Sequence, residues 1–206
     1  AARNHGVRLS QGEFIQFLDS DDWLQPEKLA GQVVFLRDHP ELDMTYCRSG
    51  IFQDDPGKSQ PGYWRHLETP DLETIAIHPG WHTNAPLWRR EAVRTVGEWD
   101  ESLGCNQEYE YHVRALSLGV RARGTPEVWN FVRREVGGGI HPWGGGEKGG
   151  RTQRMGAAPP SLRRAEGFFG AARKVRDHLL RCGIDSAPTR EHLAHLAGVG
   201  GQIFLY

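Results

Sequence analysis

The stretch Gly12-Glu13-Phe14-Ile15-Gln16-Phe17-Leu18-Asp19-Ser20-Asp21-Asp22 constrains the chain most, because an apolar run stops abruptly at three carboxylates in four positions. Residues 14–18 are aromatic and β-branched and follow Gly12, the pattern of a short buried strand rather than a helix. In open α/β sheets ligands gather beyond the carboxyl ends of the strands. Three anions this close repel one another unless a positive charge sits among them, and hard oxygen ligands suit Mg²⁺ or Mn²⁺ completed by substrate phosphates. The same residue types also form turns and cap helices, so Ser20 or Asp22 alternatively opens the next helix.

Charge and composition narrow the setting. A chain of 206 residues supports one sizeable core and a small appendage. With 25 basic against 26 acidic residues, the net charge of −1 gives no general attraction to nucleic acid or anionic membrane. The mean hydropathy is −0.58, and no apolar run approaches the ~20 residues of a membrane helix. Cys47, Cys105 and Cys182 lie far apart with no C-x-x-C spacing, which points to a reducing, cytoplasmic setting rather than a disulfide framework or zinc ribbon. Residue 1 is Ala and no signal pattern follows, so the first residues read as the middle of something.

Residues 1–9 read as the tail of a crossover helix, which places earlier strands of the sheet upstream. Pro26 at the first helical position with Glu27 behind it opens a helix in which Leu29, Val33 and Leu36 form the apolar face, ending before Pro40. Strands follow at residues 44–47 and 51–52, a short helix after Thr69-Pro70, a strand at 85–88, and a helix from Arg89 to Val96 stopped by Gly97. Asn106 caps a helix carrying Tyr109, Val113 and Leu116 on one face, and two strands are expected near 120–123 and 128–132. Residues 137–150 hold eight glycines in fourteen positions, a boundary composition, and residues 161–181 and 188–197 are expected to be helical. The expected division is residues 1–135 as the core and 136–206 as a glycine-rich loop with a helical extension.

The order A-R-N-x-G, a short connection, G-E-F-I-x-F-L-D-S-D-D and P-E-K-L resembles family 2 glycosyltransferases of the GT-A fold. Arg89-Arg90-Glu91 and Val96-Gly97-Glu98-Trp99-Asp100-Glu101-Ser102-Leu103 continue the likeness, which covers residues 1 to about 135. The resemblance implies an α/β fold, a Rossmann-like mixed sheet flanked by helices with its N-terminal strands missing. It also implies sugar transfer from a nucleotide-diphosphate donor, usually with inversion, to a glycan, lipid-linked or protein acceptor, as in polysaccharide biosynthesis, in the cytoplasm or at the cytoplasmic face of the membrane.

Carried onto this sequence, the resemblance makes Asp19, Ser20 and Asp21 the DXD-type motif. Asp21 would bridge Mn²⁺ or Mg²⁺ to the diphosphate, with Asp19 near the ribose or the metal, Asp22 assisting or capping the Pro26 helix, and Arg3 near the nucleotide. The family's acidic pair falls on Gln107-Glu108, which leaves Glu108 as the general base, since one carboxylate suffices to take the acceptor proton. The family's histidine after the last core strand is absent from Arg133-Arg134-Glu135, and His141 in the glycine tract is the substitute metal ligand. Trp81, His82 and Asn84 fall where the family lines its sugar pocket, with core packing the alternative for Trp81. Pro79-Gly80 between His78 and His82 argues against a zinc pair on one helical face, and Lys148 fits no phosphate-binding loop. Two rivals remain: a non-catalytic nucleotide- or glycan-binding module of the same fold, and an unrelated phosphoryl enzyme whose aspartates bind two metals.

Overall fold

The structure, a computed structural model, describes residues 2–62, 64–78, 80–134 and 162–204, with side chains left aside at 162–165 and 198–204. His141 and the glycine-rich tract lie outside the described residues. The elements in chain order are α1 (Ala2–Leu9), β1 (Phe14–Gln16), β2 (Trp23–Leu24), α2 (Lys28–Asp38), β3 (Met44–Phe52), a 3₁₀ turn (Pro56–Lys58) and β4 (Gln60–Pro61). They continue with α3 (Leu72–Ile77), β5 (Pro86–Arg89), α4 (Arg90–Val96), α5 (Gln107–Ser117), β6 (Ala122–Arg133), α6 (Leu162–Arg181) and α7 (Ala187–Phe204).

The strands form one mixed sheet in the order β1-β5-β3-β6-β2, with β4 on β3. Among the described residues, only β3 and β6 pair in parallel and the other pairings are antiparallel. Where two short strands were expected on each side of a break, β3 and β6 each run through as one. Their register jumps from Tyr46↔Gly124 to Arg48↔Val128, so the bulge falls on Thr125-Pro126-Glu127 and accommodates a proline that no regular ladder admits.

Two expectations for α2 are corrected. The helix starts at Lys28, after a turn in which the Lys28 N–H donates to Gln25 O at 3.1 Å, so Pro26 and Glu27 precede it. Its buried face is Lys28, Gln32 and Leu36, whereas Leu29 is 44% exposed. Buried polar groups need partners, and these have them. Lys28 Nζ donates to Gln16 Oε1 at 2.5 Å and Gln32 Oε1 at 2.6 Å, and Gln32 Nε2 donates to Ala85 O at 3.0 Å. Burial pushes the Lys28 amine down to about 8.

One apolar core joins the sheet to both C-terminal helices, with Tyr109 and Tyr111 of α5, Phe168 and Val175 of α6, and Leu196 of α7 in a single cluster. Its centre is aromatic: Trp99 stacks on Tyr111 at 4.1 Å, and Phe17 meets Trp99 edge-on at 5.1 Å. No helix among the described residues is long and apolar enough to cross a membrane.

His112, 3% exposed, lies in this core. Burial, with the nearby His82 ring and Arg3 guanidinium adding to it, pushes its imidazole down to about 3. The unfolded chain therefore takes up this proton near pH 6.5 while the folded chain does not, and stability falls as pH drops from 6.5 towards 3. At pH 5 the loss from this group is about 2 kcal/mol, at 1.36 kcal/mol per unit. His112→Phe is expected to remove about that much of the stability change between pH 7 and pH 5 in urea titrations, and an unchanged pH dependence would contradict it.

Candidate active site

β1 leaves the sheet at Gln16, earlier than its apolar run suggests, and Phe17 turns into the core while Leu18 is 52% exposed. The acidic turn follows directly, with Ser20 and Asp21 exposed and Asp19 and Asp22 half-buried. Asn84, fully buried, holds both ends of that turn: its Oδ1 accepts the Asp19 N–H at 3.1 Å, and its Nδ2 donates to Asp22 Oδ2 at 2.5 Å. From the end of β6, the Arg133 N–H donates to Asp22 Oδ1 at 2.8 Å and the guanidinium Nε to Asp21 O at 3.1 Å. Asp22 is thus tied across the sheet and does not cap α2, whose N-cap residue is Glu27. Asn84, expected against a sugar, spends its amide within the protein.

His82 Nδ1 stands 3.8 Å from Asp22 Oδ2 and accepts the Asn84 N–H at 3.4 Å, which places the imidazole proton on Nε2. Ligand atoms of Asp19, Asp22 and His82 all lie within 4.8 Å of one another. Burial pushes the Asp22 carboxyl up, and the neighbouring Asp21 and Asp19 charges push the same way against the Arg133 and Asn84 hydrogen bonds. A divalent cation would relieve that repulsion, and two carboxylates beside an imidazole are a donor set for Mn²⁺, while Mg²⁺ would draw on the carboxylates alone. The residues present therefore fit the metal, although the geometric cluster draws on Asp22 and His82 in addition to the expected Asp19. Asp21 is the exposed carboxylate of the turn.

Arg3 donates to Asp19 Oδ1 at 2.7 Å and lies 4.6 Å above the Trp99 ring. Its neighbour Asn4, missed as a candidate, is 2% exposed and fixes this arrangement. Its Oδ1 accepts the Trp99 N–H at 2.8 Å, and its Nδ2 donates to Trp99 O at 2.9 Å and Glu101 Oε1 at 2.8 Å. A cleft of about 750 Å³ opens beside these groups, lined by Arg3, Gln16, Asp19, Ser20, Trp99, Glu101 and Gln107 among others. A volume of this size suits a small-molecule ligand. Gln107 and Glu108 open α5, with Glu108 half-buried and the Gln107 amide donating to Leu103 O at 2.8 Å. Asn106 precedes them in the left-handed conformation (φ 57°) and makes no side-chain cap, contrary to expectation. Trp81 is 1% exposed, packed against Tyr46 at 4.3 Å and His112 at 5.0 Å, so its faces are turned to protein.

With this geometry in hand, known proteins give the context. Residues 1–96 match the sequence profile described as Glycosyl transferase family 2. EpsH of Bacillus subtilis, named as a glycosyltransferase, is 37% identical over 59 residues, 29% of this chain and 17% of its own. MJ1057 of Methanocaldococcus jannaschii, also named as a glycosyltransferase, is 23% identical over 57% of this chain and 40% of its own. The chain thus spans less than half the length of these relatives. Among solved structures, S. aureus TarS 1-349 in complex with UDP-GlcNAc superposes with a TM-score of 0.62 at 18% identity, covering 94% of this chain and 50% of that one. The likeness shows an α/β, GT-A-type fold.

The clasp on the acidic turn predicts how its loss behaves. Asn84→Ala leaves Asp22 without its side-chain donor and is expected to cost about 1–3 kcal/mol at any pH between 5 and 7. Asn84→Asp adds a carboxylate against Asp22, so its cost should be larger at pH 7 than at pH 5. Urea midpoints measured at both pH values check this, and two variants within experimental error of wild type would refute the clasp.

Proposed function

We propose, from the match of residues 1–96 to the Glycosyl transferase family 2 profile, that the protein transfers a sugar from a nucleotide-diphosphate donor to an acceptor hydroxyl with inversion. The observation that carries this reading is convergence on one place. The acidic turn, the Arg3 guanidinium and the first turn of α5 meet at a cleft of about 750 Å³. The solved neighbour with UDP-GlcNAc bound supports a nucleotide sugar as the donor class.

Mn²⁺ or Mg²⁺ is the cofactor of this reading, and Asp19 and Asp21 would hold it, with Asp22 and His82 beside Asp19. When bound, the ion supplies Lewis-acid stabilisation of the leaving diphosphate. Arg3, drawn from Asp19, offsets the remaining negative charge on the diphosphate. Glu108 takes the proton of the acceptor hydroxyl as its oxygen bonds to the anomeric carbon. The bond from that carbon to the diphosphate oxygen breaks, and its electron pair leaves with the nucleoside diphosphate. A single displacement of this kind inverts the anomeric centre. Acceptors in this reading are glycan, lipid-linked or protein hydroxyls, and the setting is cytoplasmic.

Calorimetry with UDP and with GDP, each with and without Mn²⁺, tests the donor end. Asp21→Ala is expected to abolish metal-dependent affinity, because a neutral side chain would not supply the carboxylate that helps hold the cation. Unchanged metal-dependent affinity would refute the assignment. At the acceptor end, Glu108→Gln should leave that affinity intact and lower turnover about a hundredfold or more. A variant with wild-type turnover and only a lower melting temperature would show that Glu108 serves the helix dipole instead.

A further inference from the structure

Helix α6 carries Gly167, Gly170, Lys174 and His178 at spacings that place them on one face. All four meet the segment 100–110, which leads into α5 and carries Glu108. A Cβ on Gly167 would stand 2.6 Å from Cys105 N and 2.8 Å from its Sγ, and one on Gly170 would stand 2.8 Å from Leu103 Cδ2. At Gly167 the helix therefore lies against loop backbone at a separation that only glycine permits. One turn further on, the Lys174 ammonium pairs with Asp100, whose Oδ1 bends the chain by accepting the Ser102 N–H at 2.9 Å and hydroxyl at 2.6 Å. Another turn on, His178 Nε2 lies 3.1 Å from Glu110 Oε1. That carboxylate is 2% exposed and is also gripped by Arg114 at 2.8 Å and 3.0 Å.

The supported segment needs outside support. Asn106 holds a left-handed backbone, and among the described residues its Nδ2 is buried without a hydrogen-bond partner. The Asp100 turn and the Gln107 amide, which donates to Leu103 O at 2.8 Å, fix part of the entry to α5 locally, and the contacts with α6 add to them. The donor end is held differently, by α1, the 82–84 loop and the end of β6.

We propose that α6 is the buttress that sets where the first turn of α5 presents Glu108, with Gly167 as a positioning residue for the transfer step. The proposal rests on the reading of Glu108 as the base, but its structural half can be measured independently. The extension would then belong to the transfer machinery, acting on the acceptor step and leaving donor binding alone.

The experiment compares Gly167→Ala, Gly170→Ala and Arg173→Ala, the last at an exposed position on the same helix. It reads amide hydrogen exchange at residues 103–110 and in β3, Mn²⁺-dependent UDP and GDP affinity, and turnover of UDP-GlcNAc and GDP-mannose. Gly167→Ala should speed exchange at 103–110 at least tenfold with β3 unchanged. It should also lower kcat at least tenfold with nucleotide affinity within twofold of wild type. Gly170→Ala should do the same more weakly, because the Leu103 side chain can rotate aside, and Arg173→Ala should match wild type. Wild-type exchange at 103–110 in Gly167→Ala would overturn the buttress, as would faster exchange with unchanged kcat, or loss of protection in β3 as well. If Glu108→Gln keeps full turnover while Gly167→Ala still lowers it, the base assignment fails and the buttress stands, acting on another group of α5.

Discussion

Three carboxylates within four residues at the end of a three-residue strand are the constraint on which the site depends. Two unit charges 4 Å apart repel by about 4 kcal/mol at an effective dielectric constant of 20. The chain therefore has to bring donors from elsewhere. Asn84, from the loop before β5, donates its Nδ2–H to Asp22 while its Oδ1 accepts the Asp19 N–H, the end of β6 supplies a backbone N–H, and α1 supplies Arg3. The long parallel pairing of β3 with β6 and the bulge at Pro126 carry Arg133 to the right height. The sheet places these donors, and the carboxylates give them their common target.

Beneath the turn a second polar layer does related work. Lys28 and Gln32 lie on the buried face of α2, and Gln16 joins them to the Asn84 carbonyl at 2.9 Å. A helix whose inner face is a lysine and a glutamine looks amphipathic in the wrong direction when read by hydropathy alone. For that reason the sequence suggested Leu29 and Val33 as the inner face: periodicity assumes an apolar neighbour, whereas α2 here covers the polar ends of β1 and the 84–85 backbone.

Other features were legible because their causes are local. The α1 helix, the acidic tip, and α4 ending at Gly97 with φ 83° all follow from residues close in sequence. The partners of Asp22 come from 62 and 111 residues away, and no pattern around Asp22 announces them. Asn4 was hidden for the same reason, since its amide is matched to Trp99, 95 residues on. The continuity of β3 and of β6 was masked by proline and glycine, which read as breaks and here mark a bulge. The α6 and α7 helices share the core of the sheet domain, and nothing local to residues 161–197 indicates what they pack against.

The central claim is that the acidic turn and Arg3 together bind a metal-bridged diphosphate. Crystals soaked with Mn²⁺ and a nucleoside diphosphate, with diffraction recorded at the manganese absorption edge, test it most directly. The account predicts one anomalous peak bounded by residues 19–22, at about 2.0–2.3 Å from carboxylate oxygens, with diphosphate oxygens completing its coordination. Two metal ions among the aspartates, or a diphosphate bound away from this turn, would contradict it.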